Sequence, residues 1–595
     1  RLEDGDYINK VFAKSETECF GLTVSGKICS IDWENEKVNL LFTLSEQPEM
    51  MAFAGTQLLC LGNSGVAIYD IEQGSMPERD TVLDDYCKNS MKGRLNNTSG
   101  SYGGIVLPGE EDALYIADSS GLYRHVRNGN VMEQLVEGSF SSFGDPMLGM
   151  CAIVRLESGE FLLLTTGEDL IRFTYDPNEP TVPEKQLKIY SLEENYSIKQ
   201  AMALFQKQNP DVYVKYEYTY AFLEKDSSMT VTDALKNLNV ELLSGTGPDV
   251  ILLDGMDASV YSGKGMLADL SPVLKELVDQ QAVFENIASA YKQENGTFVI
   301  PASFSLPLLF GRQEDVEAVK DMDSLAAVVE KLRQENPEGS ITGAFSARQE
   351  LLQLMAVNSV GWLDGRELDT QAVSHFLNQA LRIYKADMQG VSKEELEVWG
   401  ETERAWSLGG LASLTVGDMI KIMAGTADNM LMDMGAVSKV MEEQEYVFDL
   451  WPGEEGTGFL PMDKLAVSAS STQQEQAVNF VKLMLGEEYQ KMNTGSGFPV
   501  NRAAFDSQDE TAGEISTGSG WKVGGKDMQF SYGYPTEAVT ARVKDLAQKA
   551  EISLEGNVVL EEAVVEFGVQ VLTGSMSVEQ AVKEIQQKTA IYLSE

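Results

Sequence analysis

Ninety-two aspartates and glutamates dominate the reactive side chains of this 595-residue chain, against only two histidines, His125 and His375. With so many acids, pairs at any spacing arise by chance and mark no acid–base couple. His125 sits in a strand-like Tyr123-Arg-His-Val126 run and His375 on a helical stretch beside Phe376, so both read as structural residues. The sequence holds no phosphate-cradling glycine loop, no nucleophile elbow and no H-E-x-x-H zinc motif. Nothing in it calls for a cofactor. The five cysteines, Cys19, Cys29, Cys60, Cys87 and Cys151, are odd in number and irregularly spaced. They read as buried strand thiols rather than a metal cluster or a disulfide frame. What remains is aromatic: five of the six tryptophans, Trp362, Trp399, Trp406, Trp451 and Trp521, lie in the second half. A single Trp reads most simply as packing, yet its ring face can also stack on a ligand.

The elements that must position these residues fall into two grammars. Length alone asks for at least two domains, and 43% apolar with 23% charged residues is ordinary for a globular chain. The net charge of −46 excludes nucleic acid as a partner, because phosphates demand a basic face. It reads as a solvated acidic surface. No window approaches the ~20 apolar residues of a membrane span. Arg1 is preceded by neither Met nor an apolar leader, which predicts a trimmed form whose targeting segment has been left out.

Residues 1–185 are written in short strands and turns. Four segments repeat one plan, a β-rich run, a polar turn ending in Gly, and a second β-rich run: residues 19–32, 58–70, 113–124 and 160–173. Their turn glycines, Gly26, Gly65, Gly121 and Gly167, are 39, 56 and 46 residues apart, near the ~40–50 residues of one propeller blade. The expectation is an all-β, propeller-like region, with a β-sandwich as the rival; four units imply a small propeller or missing upstream blades. Asp176-Pro-Asn-Glu-Pro-Thr-Val-Pro-Glu184 reads as an extended connector. From 186 onward strands and helices alternate. Ile198, Ala201, Met202 and Phe205 form one helical stripe that stops before Pro210. Val212–Tyr220 reads as a strand and Val231–Leu243 as a helix. Ser577-Val-Glu-Gln580 opens a last helix with Val578, Ala581, Val582 and Ile585 on its buried face.

Several landmarks in this α/β half occur in a telling order. They are Glu241-Leu-Leu-Ser-Gly-Thr-Gly-Pro-Asp249-Val-Ile, Gly265-Met-Leu-Ala-Asp-Leu-Ser271, Asn295-Gly-Thr-Phe-Val-Ile-Pro301, Gly495-Ser-Gly-Phe-Pro-Val-Asn501 after a helix from Gln473 to Met492, and Leu572-Thr-Gly574 before the last helix. Together they resemble the maltose- and oligosaccharide-type solute-binding proteins of ABC importers, over about 400 residues. The resemblance implies a periplasmic-binding-protein type II fold, two α/β lobes that close on a ligand like a hinged clamp. The first lobe would hold about 186–305 and 445–500, the second about 306–440 and 505–595. The region 1–185 departs from the family pattern.

A sugar presents CH-rich faces to aromatic rings and hydroxyls to Asp, Glu, Asn or Ser. On that chemistry and the resemblance, the candidate ligand contacts are Glu194 and Asp254 at strand ends, Asp257, Ser303 and Phe304 at the crossing, and Trp362, Trp406, Trp451 and Phe459. Glu194, Asp254 or Asp257 could equally cap a helix. The expected function is non-catalytic capture of a solute, oligosaccharide first and peptide second, and its delivery to an ABC permease. The expected location is extracellular, through a lipid anchor outside this sequence. An extracellular glycan-active enzyme and a sensor or adhesion module are the alternatives.

Overall fold

The protein is described here by a computed structural model covering the chain apart from residues 1–5, 78, 91–101, 111, 147, 167–169, 177–184, 221–229, 365–366, 401–406, 415–419, 493–496, 510–516, 524–525 and 595. Gly167, Trp406, most of the proline-rich connector and the start of the Gly495 motif lie outside the described residues. The chain forms two compact units: residues 1–186 with 198–215, and residues 187–197 with 216–595.

The N-terminal region of the first unit is built of small β-sheets, with the helix Thr81–Ser90 packed on them. Four antiparallel meanders follow one another along the chain: Ile8–Ala13 to Lys37–Thr43 with four strands, Met50–Ala54 to Gly65–Asp70 with three, Gly104–Pro108 to Met132–Glu137 with four, and Met150–Arg155 to Leu170–Phe173 with three. Each predicted hairpin is the heart of one sheet, Cys19–Thr23 with Lys27–Asp32 for example. The period of two explains how the sheets pack. In the strand Gln57–Gly62, Leu58 and Cys60 turn to the first sheet's Leu22 and Ile28, while Leu59 and Leu61 turn to the third sheet's Val106 and Ile116. In Ala113–Asp118, Tyr115 and Ala117 face the fourth sheet's Ile153, Phe161 and Leu163. Among the described residues the sheets do not close into a ring.

Two local devices fix this unit. Gly121 turns its hairpin at φ +135°, and a Cβ there would stand 1.9 Å from the Val136 carbonyl oxygen, so no other residue fits. His125, fully buried, places Nδ1 2.8 Å from the Val131 carbonyl and Nε2 2.8 Å from Asp80, which also receives the backbone N–H groups of Leu83 and Asn128. Both ring nitrogens thus face acceptors. All five cysteines are free thiols, and burial pushes Cys60 and Cys87 up to about 12.

The second unit is α/β. Lys185–Glu193 runs parallel to Val250–Leu252, pairing Ile189 with Val250, and Val250–Leu252 runs antiparallel to Gly458–Val467. The strand Ile300–Arg312 then serves two partners in succession. Its first half, to Ser305, pairs with Gly458–Val467; its second half, from Leu306, pairs with Ile422–Ala427 and Tyr446–Leu450. One uninterrupted strand therefore joins two regions of sheet. Each region has its own core. Phe304 centres one, with ring centroids 5.8 Å from Phe284 and Phe498 and 6.3 Å from Phe459. The other gathers the helices Met322–Glu335, Ala347–Asn358, Thr370–Met388, Val558–Leu572 and Val578–Ser594.

The glycine-rich approach to the third strand is a clamp. Gly245 ends the helix Val231–Ser244 at φ +73°. Asp249, 7% exposed, then accepts from the Lys188 N–H at 2.8 Å and the Ser471 hydroxyl at 2.6 Å, tying two strand ends to a helix start. The expected Ser577 cap receives the Gln580 N–H, and Val578, Ala581, Val582 and Ile585 are buried as predicted. The helix predicted from Gln473 to Met492 is instead two, Gln474–Met484 and Glu487–Met492, broken around Gly486.

Candidate functional site

The strand ends of the second unit converge on a polar cluster. Asp463 and Lys464, neighbours on the strand Gly458–Val467, are 3% and 2% exposed, and Asp463 takes the left-handed φ of +50°. Asp463 accepts from the Asn195 side-chain amide at 2.7 Å, just past the end of Lys185–Glu193, and from the Ser303 hydroxyl at 3.1 Å on the crossing strand. Lys464 donates through Nζ to the Met256 carbonyl at 3.2 Å and to Glu555 at 3.0 Å. Its backbone N–H reaches Asp254 at 3.2 Å. Glu555 in turn receives the Ser553 hydroxyl at 3.2 Å, and Val558 N–H donates to the Gly255 carbonyl at 2.9 Å. The loop 253–257, the strands Gly458–Val467 and Ile300–Arg312 and the segment 552–558 are thus one network.

Its electrostatics are set by burial. Desolvation, and then the charge of Asp463, push the Asp254 carboxyl up to about 7. Asp463 is raised as well by burial, against three hydrogen bonds that favour its charge. Burial also raises Glu561 and Glu562 at the start of the helix Val558–Leu572. Burial thus favours the neutral form of Asp254, Asp463 and Glu561, and a neutral carboxyl can donate as well as accept a hydrogen bond. Among the described residues, no group of His, Cys, Asp and Glu has the arrangement to hold a metal ion.

The predicted contacts divide into two groups. Glu194, Asp254, Asp257 and Ser303 come to this strand-end cluster or its rim. Glu194, half-buried, donates its N–H to Tyr220 at 2.8 Å, and Asp257 caps the helix Ala258–Gly263 through the Ser259 N–H. The described aromatic candidates are not presented to it. Phe304 and Phe459 are fully buried in one core, and Trp362 and Trp451, 2% and 1% exposed, lie in the other, Trp362 with its centroid 4.9 Å from Phe376. The physical reason is neighbourhood: each ring sits among apolar residues that have no other place to go. Asn195, Asp463, Lys464 and Glu555 escaped the sequence reading. The available signal was Asp463-Lys464 inside the otherwise apolar strand pattern Gly458–Val467.

Residues 200–515, more than half of the chain, match the family described as bacterial extracellular solute-binding protein, and the chain belongs to that family. No curated protein matches it. Among solved structures it is similar to an extracellular solute-binding protein, family 1, from Alicyclobacillus acidocaldarius, with 13% identity over 69% of this chain and 99% of that one, at a TM-score of 0.42. It is also similar to the sugar-binding protein MalE from Xanthomonas citri, at 13% identity over 69% and 98% with a TM-score of 0.43. A sugar transporter from Arthrobacter chlorophenolicus with bound laminaribiose stands at 14% identity, 69% and 98% coverage, and a TM-score of 0.42.

Proposed function

We propose that this chain is the capture component of an ABC importer, binding a polar solute between two lobes and handing it to a membrane permease without catalysing a reaction. The observation that carries this reading is the polar cluster beside the crossing strand, where Asp463 holds Ser303 of that strand and Lys464 joins Asp254 and Glu555. A ligand that engages such a cluster shifts the balance between open and closed states by the difference in its affinity for the two. Oligosaccharide is the first candidate, because carboxyl acceptors at Glu194, Asp254 and Asp257 suit a rim of hydroxyls and the motif order resembles the oligosaccharide-type members; peptide is the second. Ser303 acts from behind by holding Asp463, and Trp362, Trp451, Phe304 and Phe459 act as packing that stiffens the walls. The proposed domains are 1–185 and 186–595, the latter with the two lobes given above.

The four meanders of the first unit are proposed as consecutive propeller blades, supported by the turn-glycine spacing and by sheets that pack face to face in chain order. The proposed location is the outer cell surface through a lipid anchor. A thermal-shift screen against mono- and oligosaccharides and peptides tests the capture reading. A ligand bound only by the folded state, at a hundred times its Kd, adds about 2.7 kcal/mol of stability. Turnover of the bound sugar would instead favour an enzyme.

A further inference from the structure

We infer that the last turn of the C-terminal helix is a clasp between the two lobes, with Tyr592 as the residue that positions them. The inference rests on the two-lobed capture reading. Through its first turns the helix Val578–Ser594 belongs to the second core, where Val578, Ala581, Val582 and Ile585 are buried beside the helices Val558–Leu572 and Thr370–Met388. Its final turn leaves that core. Tyr592 and Leu593, with Asn557, form one wall of a narrow notch of 40 Å³. The opposite wall comes from the helix Val231–Ser244, through Lys236 and Asn239, and from Asp257 and Tyr261 at the helix Ala258–Gly263. The two walls thus belong to the two halves that the crossing strand joins.

Three features make the notch a joint rather than a chance contact. Tyr592 is tethered from its own side, its hydroxyl oxygen accepting from the Asn557 side chain at 3.2 Å. Asn557 also caps the helix Val558–Leu572, and Val558 donates to Gly255 in the Asp254 loop, so the clasp and the strand-end cluster share a frame. Across the notch, the side-chain oxygen of Asn239 is buried with no hydrogen-bond partner. The bond from Asn557 uses Tyr592 as an acceptor, which leaves the phenolic proton available to such an oxygen. A buried acceptor left unsatisfied is unfavourable, so a small closing movement that pairs it with a hydroxyl is favoured. Asp257 lies both in the notch and at the rim of the candidate site, which couples solute contact to the clasp.

The test measures the distance between spin labels at Val240→Cys and Gln587→Cys, one on each wall's helix, with Cys19→Ser and Cys151→Ser removing the two part-exposed thiols. The unmodified protein is expected to give one short distance, and Tyr592→Phe, which keeps the ring but lacks the hydroxyl that would pair Asn239, to add a minor longer population. Tyr592→Ala is expected to add a longer population while its far-ultraviolet circular dichroism stays unchanged. A single unchanged distance in Tyr592→Ala overturns the clasp. A longer population in Tyr592→Ala, alongside a solute screen with no stabilising ligand, upholds the clasp and faults the capture reading, so the two failures are distinguishable.

Discussion

Asp463 and Lys464 are sequence neighbours that point to opposite faces of one strand, and each holds a different part of the site. Asp463 gathers Asn195 and Ser303, while Lys464 reaches Met256 and Glu555. Removing one partner of a buried ion pair costs ~3–5 kcal/mol. The Glu555 side chain is 28% exposed, so water recovers part of that loss. Lys464→Met is therefore expected to lower stability by about 2 kcal/mol in urea denaturation. Asp254 makes a pH prediction. Its folded pKa of about 7 lies above that of the unfolded chain, so the folded protein keeps a proton the unfolded chain has released. That contribution is full below the unfolded pKa and is lost as pH rises through 7. From pH 5 to pH 8 the melting midpoint of the unmodified protein should fall more than that of Asp254→Asn; parallel curves would refute the assignment. At this scale the acids at strand ends were legible, because a predicted strand tells where its end must be. The buried pair was not, because whether a charge in a strand is buried depends on which strands pair with it.

At the scale of elements, the hairpins of the first unit were legible because glycine turns and period-two patterning are local. The flanking strands, such as Lys37–Thr43 with its largely exposed face, were not, since an exposed strand carries no alternation to read. The sheets show what alternation encodes: in Phe161–Thr165, Leu163 is fully buried toward the third sheet, whereas the outward residues Leu164 and, on the next strand, Leu170 are 40% and 65% exposed. Leu163→Ala is expected to cost ~2–5 kcal/mol, and Leu170→Ala within about 0.5 kcal/mol, by denaturant titration. Equal costs would mean that the outward face is covered in solution. Helices with a clear stripe were found, and the break at Gly486 was missed because the apolar spacing continues across it. The burial of Trp362 and Trp451 was not legible either, because it comes from long-range packing.

For the whole molecule, the central feature is a strand that belongs to two sheet regions, with a charged cluster bound to its first half through Ser303. Landmarks spread over 400 residues made the family legible before any contact was known, because each marks a turn or cap that the fold requires at that place. The guest was not legible, since its chemistry depends on side chains brought together from at least five separate segments. The most direct measurement is calorimetric titration of the chain with a panel of oligosaccharides, repeated on Asp254→Ala and Asp257→Ala. The account predicts saturable one-to-one binding of at least one member, weakened at least about tenfold, or ~1.4 kcal/mol, in each variant. Binding unaffected by either substitution, or no binding by any member while another solute class titrates elsewhere on the chain, would contradict it.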